Sequence, residues 1–223
     1  MIKKFLLLLL IFNLTPQTSS AAAPQELNLS RLNTSQLEDI YEYYDYKGVR
    51  GYLMLPGYHY PPIYLSSFPT DFDAVADEQK RIALFIKILA PLALRFNQQT
   101  LEQRQVIEQI KQNFDKNHEL SAEESRIIEK TAAEYDVFTR LKGYQRHKFL
   151  LTELLNRVDA IPPSFLIAAA AMETNWGTSR IVKEGNSLYK QLVWHSDKGL
   201  KPRGETEDDT YRIRTFPTIY DSL

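Results

Sequence analysis

Between Ile161 and Gly177 the chain reads I-P-P-S-F-L-I-A-A-A-A-M-E-T-N-W-G, an apolar run holding one carboxylate, Glu173, with Trp176 three residues on. Desolvation beside an aromatic ring penalises a charged carboxylate, and a carboxylic acid kept neutral can donate its proton to a leaving oxygen. General-acid chemistry is one reading of this pattern. The plainer one is that Glu173, in the last turn of a helix, reaches water or pairs with Arg180. Other chemistries are absent from the sequence. There is no cysteine, which removes disulfides, thiol nucleophiles and Cys-ligated metals together. His59, His118, His147 and His195 are far apart and form no HExxH or i,i+4 pair, so no metal site is expected. No phosphate-binding loop or nucleophile elbow is present, and no cofactor is expected.

The helix that must carry Glu173 has clear limits. Pro162 and Pro163 suit its start, where a missing N–H costs nothing, and Gly177 suits its end. Phe165 to Ala171 are apolar on nearly every face, which predicts a helix buried all round. Upstream, Ile82, Phe85, Ile86, Leu89 and Ala93 follow the i, i+3, i+4, i+7 spacing of one buried helix face over Asp77 to Phe96, with Pro91 expected to kink it. A second helix is predicted from Leu101 to Phe114 through Val106 and Ile110. Ser121 and Glu124 form a capping box for a third, and Leu150, Leu151, Leu154, Leu155 and Val158 mark a fourth over Tyr144 to Val158.

Eight of the 13 tyrosines fall between Tyr41 and Tyr64. An extended strap with its rings packed on a helical body accounts for them, and contact with a glycan is the alternative, since Tyr rings stack on sugar faces. Residues 1–22 have the form of a secretory signal: Lys3 and Lys4, an apolar stretch from Phe5 to Leu14, then small residues up to Ala23. That stretch is too short for a permanent membrane span. Without the leader, 25 basic residues face 28 acidic ones, a net charge of −3, and nothing points to nucleic acid. The expected organisation is a signal peptide (1–22), a Tyr/Pro-rich strap (23–70), a helical extension (71–135) and a final domain (136–223).

The residues Glu173-Thr174-Asn175-Trp176-Gly177-Thr178-Ser179-Arg180, followed by Glu184-Gly185-Asn186-Ser187-Leu188-Tyr189, resemble the signature of the bacterial glucosaminidase domain, glycoside hydrolase family 73. The exported, Bax-like branch of that family is the most similar. Phe72-Asp73-Ala74-Val75, the Pro91 helix with Asn97, Leu120 to Glu124 and Leu155 to Asp159 extend the resemblance over most of the mature chain. Two departures stand out: Tyr189-Lys190 replaces the usual Phe-Gly, and the loop with Trp194, Gly199 and Pro202 lacks two cysteines that relatives often carry.

The resemblance implies a mainly α (α+β), lysozyme-like fold with a small β-hairpin lobe. It implies Glu173 as the catalytic general acid and a second carboxylate on the hairpin, Glu205 or Glu207 within G-E-T-E-D-D, a stretch that equally fits a solvated acidic turn. Trp176, Asn186, Tyr189 and Trp194 would contact substrate. The expected partner is the peptidoglycan glycan strand, cleaved next to N-acetylglucosamine in the periplasm or outside the cell. A lytic transglycosylase and a non-catalytic wall-binding or assembly protein are the competing expectations. Tyr211 to Phe216 alternates as a returning strand, and the closing segment that relatives carry after it, with a tyrosine in the cleft, has only its opening represented by Pro217 to Leu223.

Overall fold

The computed structural model describes residues 26–50, 53–54, 57–194, 199–202 and 211–223. The expected leader and the acidic stretch with Glu205 and Glu207 lie outside the described residues. The fold is mainly helical with small two-stranded sheets, as expected.

The tyrosine-rich segment is not a plain strap. It opens with β1 (Leu27–Leu29), continues into a helix, α1 (Thr34–Tyr43), and then forms β2 (Val49–Arg50), β3 (Leu53–Met54) and β4 (Ile63–Leu65). β1 runs parallel to β4, Leu27 opposite Ile63, and β2 pairs antiparallel with β3. The sequence reading missed α1, although its signals are present. Asn33 and Gln36 form a reciprocal capping box, and Leu37 and Tyr41, one turn apart, are both buried. The packing expectation holds for part of the segment: Tyr41 and Tyr46 are buried in the core and Tyr58, Tyr60 and Tyr64 pack against it, whereas Tyr43 and Tyr44 are exposed.

α2 (Glu78–Asn117) is a single helix of 40 residues, about 60 Å long, where two helices separated near residue 100 were expected. The sequence from Phe96 to Leu101 contains no Gly or Pro to stop it, and the Thr100 hydroxyl donates back to the Phe96 carbonyl at 2.9 Å. What looked like a break is a change of partner along one continuous helix. Its first half buries Phe85, Ile88, Leu89 and Leu92, and its second half buries Ile107, Ile110 and Phe114, leaving Val106 exposed.

Pro91 sits inside α2 and is buried. Proline has no N–H, so the carbonyl four residues earlier, on Lys87, loses its usual donor. The buried Tyr46 hydroxyl donates to that carbonyl at 3.0 Å. The strap thereby supplies the hydrogen bond that Pro91 withholds.

α3 (Ala122–Glu134) starts at the expected capping box of Ser121 and Glu124, and α4 (Gly143–Arg157) follows. These two pack on the second half of α2 around Ile107, Phe114, Ile128, Leu150 and Leu154. The first half of α2 shares a separate core with the strap, α5 (Pro163–Thr174) and α6 (Arg180–Gly185). The antiparallel pair of β5 (Leu192–Trp194) and β6 (Tyr211–Ile213) completes the described structure, with Trp194 opposite Tyr211. Among the described residues no helix is long and apolar enough to cross a membrane.

Candidate active site

α5 is positioned from both ends. At its start, Asn97 on α2 grips Ile161 reciprocally, its amide donating to the Ile161 carbonyl at 2.6 Å and its oxygen accepting from the Ile161 N–H at 3.0 Å. Along its length Leu166, Ile167, Ala170, Ala171 and Thr174 are buried, and the alanines let α2 approach closely. The opposite face is open: Phe165 is 66% and Met172 84% exposed. The expectation of a helix buried all round is therefore corrected. Its apolar residues wrap the whole helix while only one face has a partner.

At the end of α5 the backbone turns left-handed for three consecutive residues, Asn175, Trp176 and Gly177, with φ of 48°, 55° and 81°. Two non-glycine residues in this region carry strain of about 1–3 kcal/mol each, so the surroundings must hold them. The buried Thr174 hydroxyl does part of this, donating to the Ala170 carbonyl at 2.6 Å and accepting from the Gly177 N–H at 3.0 Å. Gly177 admits no side chain: a Cβ there would lie 2.9 Å from the rings of both Phe68 and Phe72.

This turn separates the two residues that were expected to act together. Had the helix continued, Trp176 would share a face with Glu173. Instead its ring packs edge-on against Phe85, with centroids 5.6 Å apart, at the margin of the core. Glu173 lies on the other side of the turn with 42% of its side chain exposed, and its Oε2 is 3.2 Å from Lys190 Nζ. The burial expected of Glu173 is thus absent, and its cation is Lys190 rather than Arg180.

Lys190 also lines a cleft of about 640 Å³ with Asn175, Ser179, Arg180, Leu192 and Tyr211. One wall is the turn after α5 and the start of α6, and the other is the hairpin. Arg180 spans the gap, pairing with Glu184 at 3.1 Å and donating to the Lys201 carbonyl. The buried Ser179 hydroxyl has no hydrogen-bond partner among the described residues. Trp194, 60% exposed on β5, has its ring 5.3 Å from that of Tyr211, a pair of rings on the hairpin that a sugar face could stack on.

Asn186 and Tyr189 are committed elsewhere. Asn186 closes α6 in a left-handed conformation, and its amide donates to the carbonyls of Phe216 and Pro217, both at 3.1 Å. Tyr189 donates to the Leu166 carbonyl at 3.2 Å, and burial pushes its hydroxyl pKa up to about 12. Both hold α5, α6 and the C-terminal segment together. The residue that sequence reasoning passed over is Lys190. Its signal was a lysine where the resemblance has glycine, and its φ of 48° is a glycine-like conformation that a lysine adopts at a cost.

Among the described residues no cluster of His, Asp and Glu could hold a metal ion. Compared with known proteins, the chain matches no family model, no curated protein and no solved structure.

Proposed function

We propose that this chain is a peptidoglycan hydrolase that cleaves glycosidic bonds next to N-acetylglucosamine, with Glu173 as the general acid. The observation that carries this reading is the carboxylate at the end of α5 whose ion-pair partner, Lys190, lines a sugar-sized cleft. Arg180 and Lys190 put two cations on the cleft wall, which suits a wall polymer bearing carboxylates. Trp194 and Tyr211 offer the aromatic surface that sugar rings stack on.

In this mechanism Glu173 gives its proton to the glycosidic oxygen as the bond to the anomeric carbon breaks. Water completes the reaction with help from a second carboxylate or from the substrate's acetamido group. Glu205 and Glu207 are the candidates for that carboxylate. An ammonium is only a hydrogen-bond donor, so the oxygen facing Lys190 acts as an acceptor. Donation from that oxygen therefore requires the pair to open.

The same pair favours a second reading, a protein that binds the wall without cleaving it, in which Lys190 keeps Glu173 engaged and the hairpin aromatics hold the glycan. Glu173→Gln separates the two. As a hydrolase the variant loses lysis of purified peptidoglycan in a zymogram while its unfolding midpoint stays near that of the parent, because a half-exposed isosteric change costs less than about 0.5 kcal/mol. Lysis at the parent level in the variant would end the general-acid assignment. Retention on sacculi with no turnover by either form would favour the binding reading.

A further inference from the structure

A second cavity, of about 330 Å³, lies where the β1–β4 pair meets the first half of α2 and the C-terminal segment. It shares no lining residue with the cleft beside Glu173. Its charged wall is Arg95, whose guanidinium lies between two rings, 4.5 Å from the centroid of Tyr64 and 5.6 Å from that of Tyr220. Stacking of this kind fixes the plane of the guanidinium and leaves its edge free to bond. Along that edge Glu26 sits 3.3 Å away. A guanidinium carries five N–H donors in a rigid fork, and one carboxylate contact at this distance uses only part of it.

Of the other polar lining, the Thr218 hydroxyl is committed to Asp221. Asn28, Ser30 and Ser66 line the cavity, and none of their side chains makes a hydrogen bond among the described residues. The cavity thus offers one oriented cation, an amide, two hydroxyls and two aromatic rings in a volume at the small end of ligand sites. A fork that pairs with a planar carboxylate, beside groups that exchange hydrogen bonds with hydroxyls, describes a small acid carrying a hydroxylated ring.

We propose that this cavity binds an acidic monosaccharide, its carboxylate on the part of the Arg95 fork that Glu26 leaves unused and its hydroxyls toward Asn28, Ser30 and Ser66. Tyr64 and Tyr220 border its ring. Glu26 is more than half exposed and lies outside the lining of this cavity, so it competes with the incoming carboxylate for the guanidinium from a neighbouring side. The site is independent of the hydrolase reading, since no step of it involves Glu173.

The test is a titration of the purified chain with sodium glucuronate, followed by amide NMR, with glucose as the neutral match, N-acetylmuramate as the wall-derived acid and sodium acetate as the control for a bare anion. The expected result is saturable shifts at residues lining the cavity, with glucuronate or N-acetylmuramate bound at least about tenfold more tightly than glucose. Whichever acid binds more tightly identifies the source. Arg95→Gln removes that preference, and Glu26→Gln, an exposed change that leaves the core intact, tightens binding severalfold. Equal response to glucose, response to acetate alone, or no saturable shift in either the parent or Glu26→Gln would overturn the proposal. If Arg95→Gln loses its cooperative unfolding, the Glu26→Gln arm still decides it.

Discussion

The contact between the Tyr46 hydroxyl and the Lys87 carbonyl can be tested by a double-mutant cycle with Pro91. In the parent the carbonyl has lost its helical donor to proline and takes the buried hydroxyl at 3.0 Å instead. Tyr46→Phe keeps the ring, and with it the edge contact to Tyr41 at 4.9 Å and the stack on Tyr58 at 6.2 Å, but strands a carbonyl inside the protein. An unsatisfied buried polar group costs about 1–3 kcal/mol, and the lost hydrogen bond lies within that figure. In a Pro91→Ala background the new N–H at position 91 reaches the Lys87 carbonyl, so removing the hydroxyl strands nothing and costs below about 1 kcal/mol. The cycle should therefore show a coupling of about 1–2 kcal/mol, well above the roughly 0.5 kcal/mol scatter of independent sites. Urea unfolding of the four proteins measures it, provided the slopes agree and only the midpoints move. Equal cost of Tyr46→Phe in both backgrounds would show that the hydroxyl does not stand in for the proline's missing donor.

Three other outcomes follow from the site and its supports. Lys190→Met removes an ion pair between side chains that are each about half exposed, a pair worth up to about 1 kcal/mol. Stability should hardly change and lysis at neutral pH should rise about two- to fivefold; a complete loss of lysis would instead mean that the ammonium takes part in the reaction. Gly177→Ala puts a Cβ 2.9 Å from Phe68 and Phe72 at a φ of 81°, and should cost about 1–3 kcal/mol in urea unfolding; a neutral change would mean that the turn relaxes freely. Burial raises the pKa of Tyr41, Tyr46 and Tyr189, so the folded state keeps these protons while the unfolded chain releases them above pH 10. The unfolded state then binds fewer protons, and stability present below pH 10 falls as pH rises, for Tyr189 through about 12. Thermal midpoints that stay flat from pH 9 to 11 in about 0.1 M salt would contradict that burial.

Much of the helical frame was legible because its signals are local. The Ser121–Glu124 box, the leucine repeat of α4 and the double proline before α5 each act within one or two turns, and the helices begin where they indicate. The errors came where an element's partner lies far away in sequence. α2 was divided because its buried face passes from one core to another, which a change of periodicity mimics. α5 was expected to be enclosed because composition cannot distinguish a helix with two partners from one with a single partner. Glu173 is the lone carboxylate on α5, as the sequence shows, but its environment was not legible, because three left-handed residues carry Trp176 away from it. Nothing in the pattern E-T-N-W-G requires two non-glycine residues to take positive φ. The Phe68, Phe72 and Phe85 rings that crowd the turn come from other parts of the chain.

Those rings bear on function. The direction of the last turn of α5 sets where the Glu173 carboxylate projects, and it is held by Gly177 beneath Phe68 and Phe72 and by Trp176 against Phe85. Phe68 lies at the end of the strap and Phe72 just beyond it, and Lys183 on α6 ties to Asp73 beside them at 2.6 Å. The strap is thus part of the scaffold that holds the turn after Glu173, although none of its residues lines the cleft beside Lys190. A misplacement of about 1 Å in a catalytic group can cost on the order of a hundredfold in rate, so loosening the strap should lower activity before it unfolds the protein. Of the tyrosines that offered a candidate glycan surface in the sequence, Tyr41 and Tyr46 act through the core, while the aromatic ring on the cleft wall is Tyr211 of the hairpin, with the Trp194 ring beside it.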